Sequence, residues 1–211
     1  MRRLPVYLLL DTSGSMRGEP IHAVNVGLQT MLSALRQDPY ALESVHLCVM
    51  TFDAGARETL PLTPLEHVQL APIAVPDSGP TFLGAALELL IQCIDRDVKR
   101  SSGEEKGDWR PLVFVMTDGS PTDIQVYREA IPELKKRPVG SIVACAAGPK
   151  AKQEFLLELT DRVVMLDTMD STGFSSFFKW VSASVSIGSS SAGVSGSTAL
   201  PPPPAEVRLV F

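Results

Sequence analysis

The sequence predicts an α/β fold: a doubly wound, mostly parallel central sheet with one antiparallel edge strand and helices on both faces. Three observations carry this. Short apolar runs alternate with longer amphipathic ones along the 211 residues, as expected when the crossovers between parallel strands are helices. The runs at residues 6–10 and 112–116 are apolar throughout, as strands covered on both faces are. Polar, glycine-bearing segments follow those two runs directly, at the carboxyl ends where open sheets of this kind bind ligands.

Residues 6–10 form the first strand. Ile21, Val24, Leu28, Met31, Leu32 and Leu35 then recur at helical spacing, with Gln29, Ser33, Arg36 and Gln37 between them. Residues 45–52 and 57–62 read as two strands, and the short Asp53-Ala54-Gly55 link makes them a hairpin, the second strand being the antiparallel edge. A Pro- and Gly-rich stretch over 61–80 ends in Ser78-Gly79-Pro80-Thr81 and leads into a helix with Leu83, Leu87, Leu90, Ile91 and Ile94 on one face. Residues 101–108 are a polar loop by composition. Strand 112–116, helix 127–136, strand 141–147, helix 152–159 and strand 162–166 follow. A closing helix carries Phe174, Phe177, Phe178, Val181 and Val185 on one stripe, and these are expected in the core. Residues 1–187 are one domain. From Gly188 a Gly/Ser-rich linker and Pro201 to Pro204, which favour extended polyproline geometry, make residues 188–211 a tail. That tail ends in Val207, Leu209, Val210 and Phe211, costly to leave in water, so residues 206–211 are expected as a strand or extended segment docked on an apolar groove or sheet edge.

The net charge of −5 and the lack of basic stripes argue against nucleic acid or an anionic membrane surface as partner. Arg2-Arg3 and Lys135-Lys136-Arg137 are the dense basic spots, read as a solvated terminus and helix end. Two arginines before an apolar run mimic a signal peptide. The run is short, however, and Asp11 closes it without a small-residue cleavage site. No segment approaches the ~20 apolar residues needed to span a bilayer, so no membrane insertion is expected. Cys48, Cys93 and Cys145 are odd in number, widely spaced and set in apolar stretches. They read as buried free thiols of a cytoplasmic protein.

Three separated segments carry chemistry when taken together: Asp11-Thr12-Ser13-Gly14-Ser15 after the first strand, Gly79-Pro80-Thr81 before a helix, and Thr117-Asp118-Gly119 after the strand at 112–116. Asp11, Ser13, Ser15, Thr81 and Asp118 offer carboxylate and hydroxyl oxygens, which suit Mg²⁺ first, with Mn²⁺ and Ca²⁺ as alternatives. No His or Cys accompanies them to suggest zinc. Each piece alone has a plain structural role: a turn, a helix N-cap at Thr81, a second turn. Their order and their places on strand ends turn the balance toward a metal site.

These five residues match, one for one, the metal-ion-dependent adhesion site of von Willebrand factor type A domains, which the chain resembles over residues 4–187. The strings LPVYLLLDTSGSMRGEPI, GPTFLGAALELL, KGDWRPLVFVMTDG, LDTMDS and FFKWVSASV, with the PPPP-containing tail, further resemble the TerY group of bacterial tellurium-resistance proteins. The resemblance implies a non-enzymatic module whose ion is held by the hydroxyls, with the acids acting through water. An open coordination position would remain for a Glu or Asp of a partner protein. It also implies a bacterial tellurite-resistance or stress-response setting, with a PP2C-like phosphatase and a protein kinase as candidate partners. The alternative is a metal-dependent phosphohydrolase with an aspartyl nucleophile, but such enzymes of the haloacid dehalogenase type need a second Asp two positions after the first, and Ser13 stands there. His22, His46 and His67 are scattered, and none has a nucleophile beside it in the sequence.

Overall fold

The computed structural model describes residues 2–76, 79–103, 105–148, 151–190 and 200–210. Ser78, most of the Gly/Ser linker and Phe211 therefore lie outside the described residues. The elements run in the order β1 (Leu4–Asp11), α1 (Glu19–Arg36), α2 (Pro39–Ser44), β2 (Val45–Phe52), β3 (Ala56–Pro64), α3 (Leu83–Asp97), β4 (Leu112–Thr117), α4 (Ile124–Lys135), β5 (Ser141–Ala147), α5 (Gln153–Leu159), β6 (Val163–Leu166), α6 (Ser171–Ser190) and β7 (Val207–Val210). Seven strands form one sheet in the order β3-β2-β1-β4-β5-β6-β7. β1, β2, β4, β5 and β6 are parallel, and β3 and β7 are antiparallel to their neighbours.

The expected single antiparallel edge is thus corrected to two. β3 closes one side through the hairpin, and the C-terminal strand closes the other by pairing Val207 with Leu166 and Val210 with Val163. The apolar end of the tail covers a sheet edge of this same domain, satisfying backbone groups that β6 would otherwise present to solvent. Val207 is buried, and Trp180 donates its indole N–H to the Pro201 carbonyl at 2.9 Å, holding the proline run against α6.

All eight residues of β1 and all six of β4 are buried, because both strands lie inside the sheet with helices on each side. On one face α1, α2 and α6 pack over Leu8, Leu10, Phe114 and Met116, and Phe174, Phe177 and Phe178 join this core as expected. On the other, α3, α4 and α5 cover Tyr7, Leu9, Val113 and Val115. α1 and α6 approach so closely that a Cβ on Gly27 would lie 2.3 Å from Phe178 Cδ2.

Two helical features depart from the sequence expectation. α2 is a helix that hydrophobic spacing does not announce, since six residues span under two turns. Its signal is Asp38-Pro39: the Asp38 carboxylate accepts from the N–H groups of Tyr40 and Ala41, and proline suits the first helical position. α6 continues to Ser190, past the Gly188 at which the linker was expected to begin. Ser189 and Ser190 bond their hydroxyls to the carbonyls of Ser186 and Ile187, so the helix itself absorbs the first polar residues. The three cysteines are free and buried. No helix among the described residues is long and apolar enough to cross a membrane.

Candidate metal centre

β1 and β4 are neighbours, but the chain leaves them in opposite directions: β1 leads to β2 on one side, β4 to β5 on the other. Between such strands the connecting loops part and leave a crevice at the carboxyl edge. Asp11 is the last residue of β1, and Asp118 follows Thr117, the last residue of β4. Asp11, Ser13, Thr81 and Asp118 are all buried, while Ser15 is exposed and marks the open side.

Hydrogen bonds join four of the five sequence-selected residues. Asp11 Oδ1 accepts from the Ser13 backbone N–H at 2.7 Å, a local turn that short acidic side chains favour. Ser13 Oγ lies 3.2 Å from Ser15 Oγ, and Ser15 Oγ donates to Asp118 Oδ1 at 2.9 Å. The fifth residue, Thr81, reaches the same rim from the loop before α3. Gly14 N–H bonds the Gly79 carbonyl at 3.3 Å, tying the first loop to the second. Thr81 Oγ1 would lie 3.3 Å from a Cβ on Gly119, so a larger residue at 119 would press on that hydroxyl.

Thr81 does not cap α3, which corrects its local reading. Asp123 does so from another loop: its carboxylate accepts from Gly84 N–H at 3.1 Å and Ala85 N–H at 2.9 Å. Thr122 meanwhile fixes the Thr81 backbone, its N–H donating to the Thr81 carbonyl at 2.9 Å and its hydroxyl accepting from Thr81 N–H at 3.1 Å. With backbone and helix end both served by others, the Thr81 hydroxyl is left to the crevice.

Sequence reasoning missed the residues that support these groups. Thr117 donates to Asp11 Oδ2 at 2.5 Å, bridging the two central strands. Thr12 donates to Asp53 Oδ2 at 3.0 Å, and the same buried carboxylate pairs with Arg57. The Asp53 carbonyl in turn accepts from Phe82 N–H at 2.9 Å, anchoring the loop that carries Thr81. One signal for both was available: Thr117 ends a buried strand and Asp53 follows one, so each sits on the rim that made Asp11 and Asp118 candidates.

The crevice is electrostatically poised for a cation. Burial pushes the Asp11 carboxyl up to about 6, against the hydrogen bonds from Ser13 and Thr117 that favour its charged form, and the neighbouring Asp118 charge adds to the rise. Asp11 accepts only from a backbone N–H and a hydroxyl; no basic side chain among the described residues pairs with it. A buried carboxylate of this kind is stabilised by a bound cation. Three hydroxyls and two carboxylates make a hard-oxygen donor set, which fits Mg²⁺ or a similar divalent ion.

The family model described as von Willebrand factor type A domain matches residues 6–176. No curated protein matches the chain. Similar solved structures include the pilus adhesin SpaC of Lactobacillus rhamnosus GG, with a TM-score of 0.71 at 11% identity, covering 89% of this chain and 31% of the adhesin. A von Willebrand factor type A protein from Catenulispora acidiphila aligns with a TM-score of 0.62 at 16% identity over 88% of this chain and 43% of its own. Proximal thread matrix protein 1 of the mussel byssus, in a form with a zinc-occupied MIDAS motif, gives a TM-score of 0.61 at 17% identity, covering 86% of this chain and 46% of that one. At these identities the likeness is one of fold, and the chain spans less than half the length of each of these structures.

Proposed function

The chain belongs to the von Willebrand factor type A domain family, and on that premise we propose that it is a metal-dependent protein-interaction module and not an enzyme. The observation that carries this reading is the hydrogen-bonded run Asp11–Ser13–Ser15–Asp118 between the two central strands, with buried Thr81 on the same rim. Ser13, Ser15 and Thr81 would hold the ion through their hydroxyls, and Asp11 and Asp118 would hold it directly or through water. Mg²⁺ is the ion we favour, because neutral hydroxyls and a small carboxylate count suit a hard octahedral ion that keeps open positions. Bound there, the ion would present positive charge toward the open side, where a Glu or Asp of a partner protein completes its surroundings. The zinc-occupied MIDAS motif of the mussel protein, which shares the fold, supports a metal-binding reading.

The non-enzymatic reading rests on membership of the family. His46 starts near the opposite edge of the sheet, its ring bonded to the Ser44 carbonyl, and His67 lies beside Glu66 on the surface. We further propose the cytoplasm of a bacterium and a tellurite-resistance or stress-response system, with a PP2C-like phosphatase or a protein kinase as partner. That finer proposal rests on the TerY-like sequence strings.

Calorimetry with Mg²⁺ tests the centre. Native protein should bind one ion, Asp11→Ala and Asp118→Ala should bind none, and circular dichroism should show both variants folded. An Asp11→Ala protein that takes up Mg²⁺ as well as native protein does would place the ion elsewhere. Partner capture should be lost in EDTA, and truncating the partner's acid should cost about 2–5 kcal/mol, the range for breaking a buried charge pair. Capture indifferent to chelation would move the interaction off the metal edge.

A further inference from the structure

The two basic spots of the sequence, at Arg2-Arg3 and Lys135-Lys136-Arg137, meet at the amino-end edge of the parallel strands, opposite the Asp11 crevice. There Arg2, Lys99, Arg100, Arg110, Lys135, Lys136 and Arg137 line a cavity of about 770 Å³. Seven of the chain's 19 lysines and arginines thus share one cavity, although the net charge is −5. Asp108 is the one carboxylate in its lining among the described residues, and Arg3 already grips it at 2.9 and 2.5 Å. Lys136 and Arg137 pair with Glu133 and Asp95, which lie outside the lining. Arg2, Lys99, Arg100, Arg110 and Lys135 make no ion pair among the described residues.

Helix ends account for part of this cluster. Lys99 and Arg100 follow α3, and residues 135–137 close α4, where terminal carbonyls favour cations. Arg2 and Arg110 precede β1 and β4 and have no such reason to be there. Arg2 is also fixed in place. It donates to the Gly107 carbonyl at 2.6 Å and the Asp108 carbonyl at 3.0 Å, and its guanidinium carbon lies 3.7 Å from the centre of the Trp109 ring. A guanidinium held by carbonyls and an aromatic face keeps its charge available to a ligand.

Lys135, Arg137 and Val139 also line a neighbouring cavity of about 1190 Å³, so the two form one groove. The second half is walled by Trp180, Leu157, Leu209 and the prolines at 201–203. Leu157 and Leu209 are 37% and 38% exposed, large apolar side chains left open to solvent. We propose that this groove docks an extended segment of a partner protein in which apolar residues adjoin several Asp or Glu. The acids would meet Arg2, Arg110 and their neighbours, and the apolar side chains would cover Leu157, Leu209 and Trp180. Charge complementarity fixes the direction, because Asp161 stands in the apolar half and repels acids from it. A planar anionic membrane or a nucleic acid fits less well. Either would press its charge on Glu133, Asp95 and Asp161 and on a chain that is negative overall, whereas a narrow segment enters between them. The eight residues of β1, about 26 Å of strand, separate this edge from the Asp11 crevice, so the module could hold partners at both ends. The inference does not rest on the metal reading.

The chain has two tryptophans, Trp109 in the basic half and Trp180 in the apolar half, so their indole N–H resonances report on each half separately. The ¹⁵N-labelled full chain is titrated, in EDTA to keep the metal edge silent, with a synthetic peptide of three leucines followed by six glutamates. Both indole signals should shift to saturation. Replacing the leucines by glycine should leave the Trp180 signal in place, and replacing the glutamates by glutamine should weaken binding about 10-fold or more. Arg2→Gln with Arg110→Gln should weaken the original peptide about 10-fold at low ionic strength, with the gap closing as salt is added. Lys152→Gln, which removes an exposed charge outside the groove, should change little. Arg110→Gln alone, at an exposed side chain, should keep the native melting temperature and still weaken the peptide about 3-fold, which separates lost binding from lost fold. Unmoved indole signals in native protein, or equal affinity in the double variant, would overturn the site and leave the cluster as helix-end compensation. Broadening of both signals by phosphatidylserine vesicles, with the peptide inert, would overturn it in favour of a membrane-facing surface. Asp11→Ala should bind the peptide as native protein does, so failure here and failure at the metal centre are distinguishable.

Discussion

Asp11 shows how one side chain can couple acidity to binding. Its folded, metal-free carboxyl titrates at about 6, above the ordinary 3.8, because desolvation outweighs the Ser13 and Thr117 hydrogen bonds. Between those two values the folded chain holds a proton that the unfolded chain has released, so this residue's contribution to metal-free stability falls as pH rises through that window. A divalent ion reverses the preference by favouring the ionised form. Mg²⁺ should therefore raise the melting temperature more at pH 7 than at pH 5, and Asp11→Asn should remove the rise at both. Thermal melts with and without Mg²⁺ at the two pH values read this directly. An equal Mg²⁺ effect at pH 5 and pH 7 would mean that Asp11 is not near the ion.

At the scale of elements, the helix that brings in Thr81 is capped from outside itself. α3 begins after Phe82, which offers no side-chain cap, and Asp123 of the loop before α4 supplies both bonds. The two helices are close enough for this because residue 84 is glycine: a Cβ there would stand 2.4 Å from Tyr127 N. Asp123→Ala should cost about 0.5–2 kcal/mol, the usual range for a lost cap. It should also weaken Mg²⁺ binding, since the freed start of α3 no longer holds Thr81 in place. Urea denaturation and calorimetry on the one variant separate the two effects. Lost stability with unchanged Mg²⁺ affinity would show that Thr122 and the Asp53 carbonyl hold Thr81 without help from the cap.

For the molecule as a whole, the tail is part of the sheet. β7 pairs with β6 through four residues, Val207 is buried, and Arg208 reaches Asp167 across the exposed edge. That surface ion pair contributes little, but burying Val207 is worth roughly 1.5–3 kcal/mol. Deleting residues 200–211 should lower the melting temperature by about 4–10 °C for a chain of this size. Mg²⁺ affinity should not change, because β1 and β4 are separated from β7 by β5 and β6. A deletion that melts like native protein would mean that the strand contributes no net stability.

The sequence by itself determined the alternation of strands and helices, the bounds of β2 and β5, and the places of Asp11, Ser13, Ser15, Thr81 and Asp118. Those are local properties: hydrophobic period sets the element, and a residue just past a buried strand is on the carboxyl rim whatever its neighbours are. Only the tertiary structure decided what depends on segments far apart in the chain. Examples are the second antiparallel edge made by β7, the Asp123 cap on α3, the Thr117 bond to Asp11, and the meeting of the Cys48 and Cys93 thiols on Glu58. Each of those side chains has an ordinary local role, as a turn acid, a strand threonine, a core thiol or a surface carboxylate. Their chemistry arises from neighbours brought close by sheet order and helix packing, which no spacing along the chain encodes.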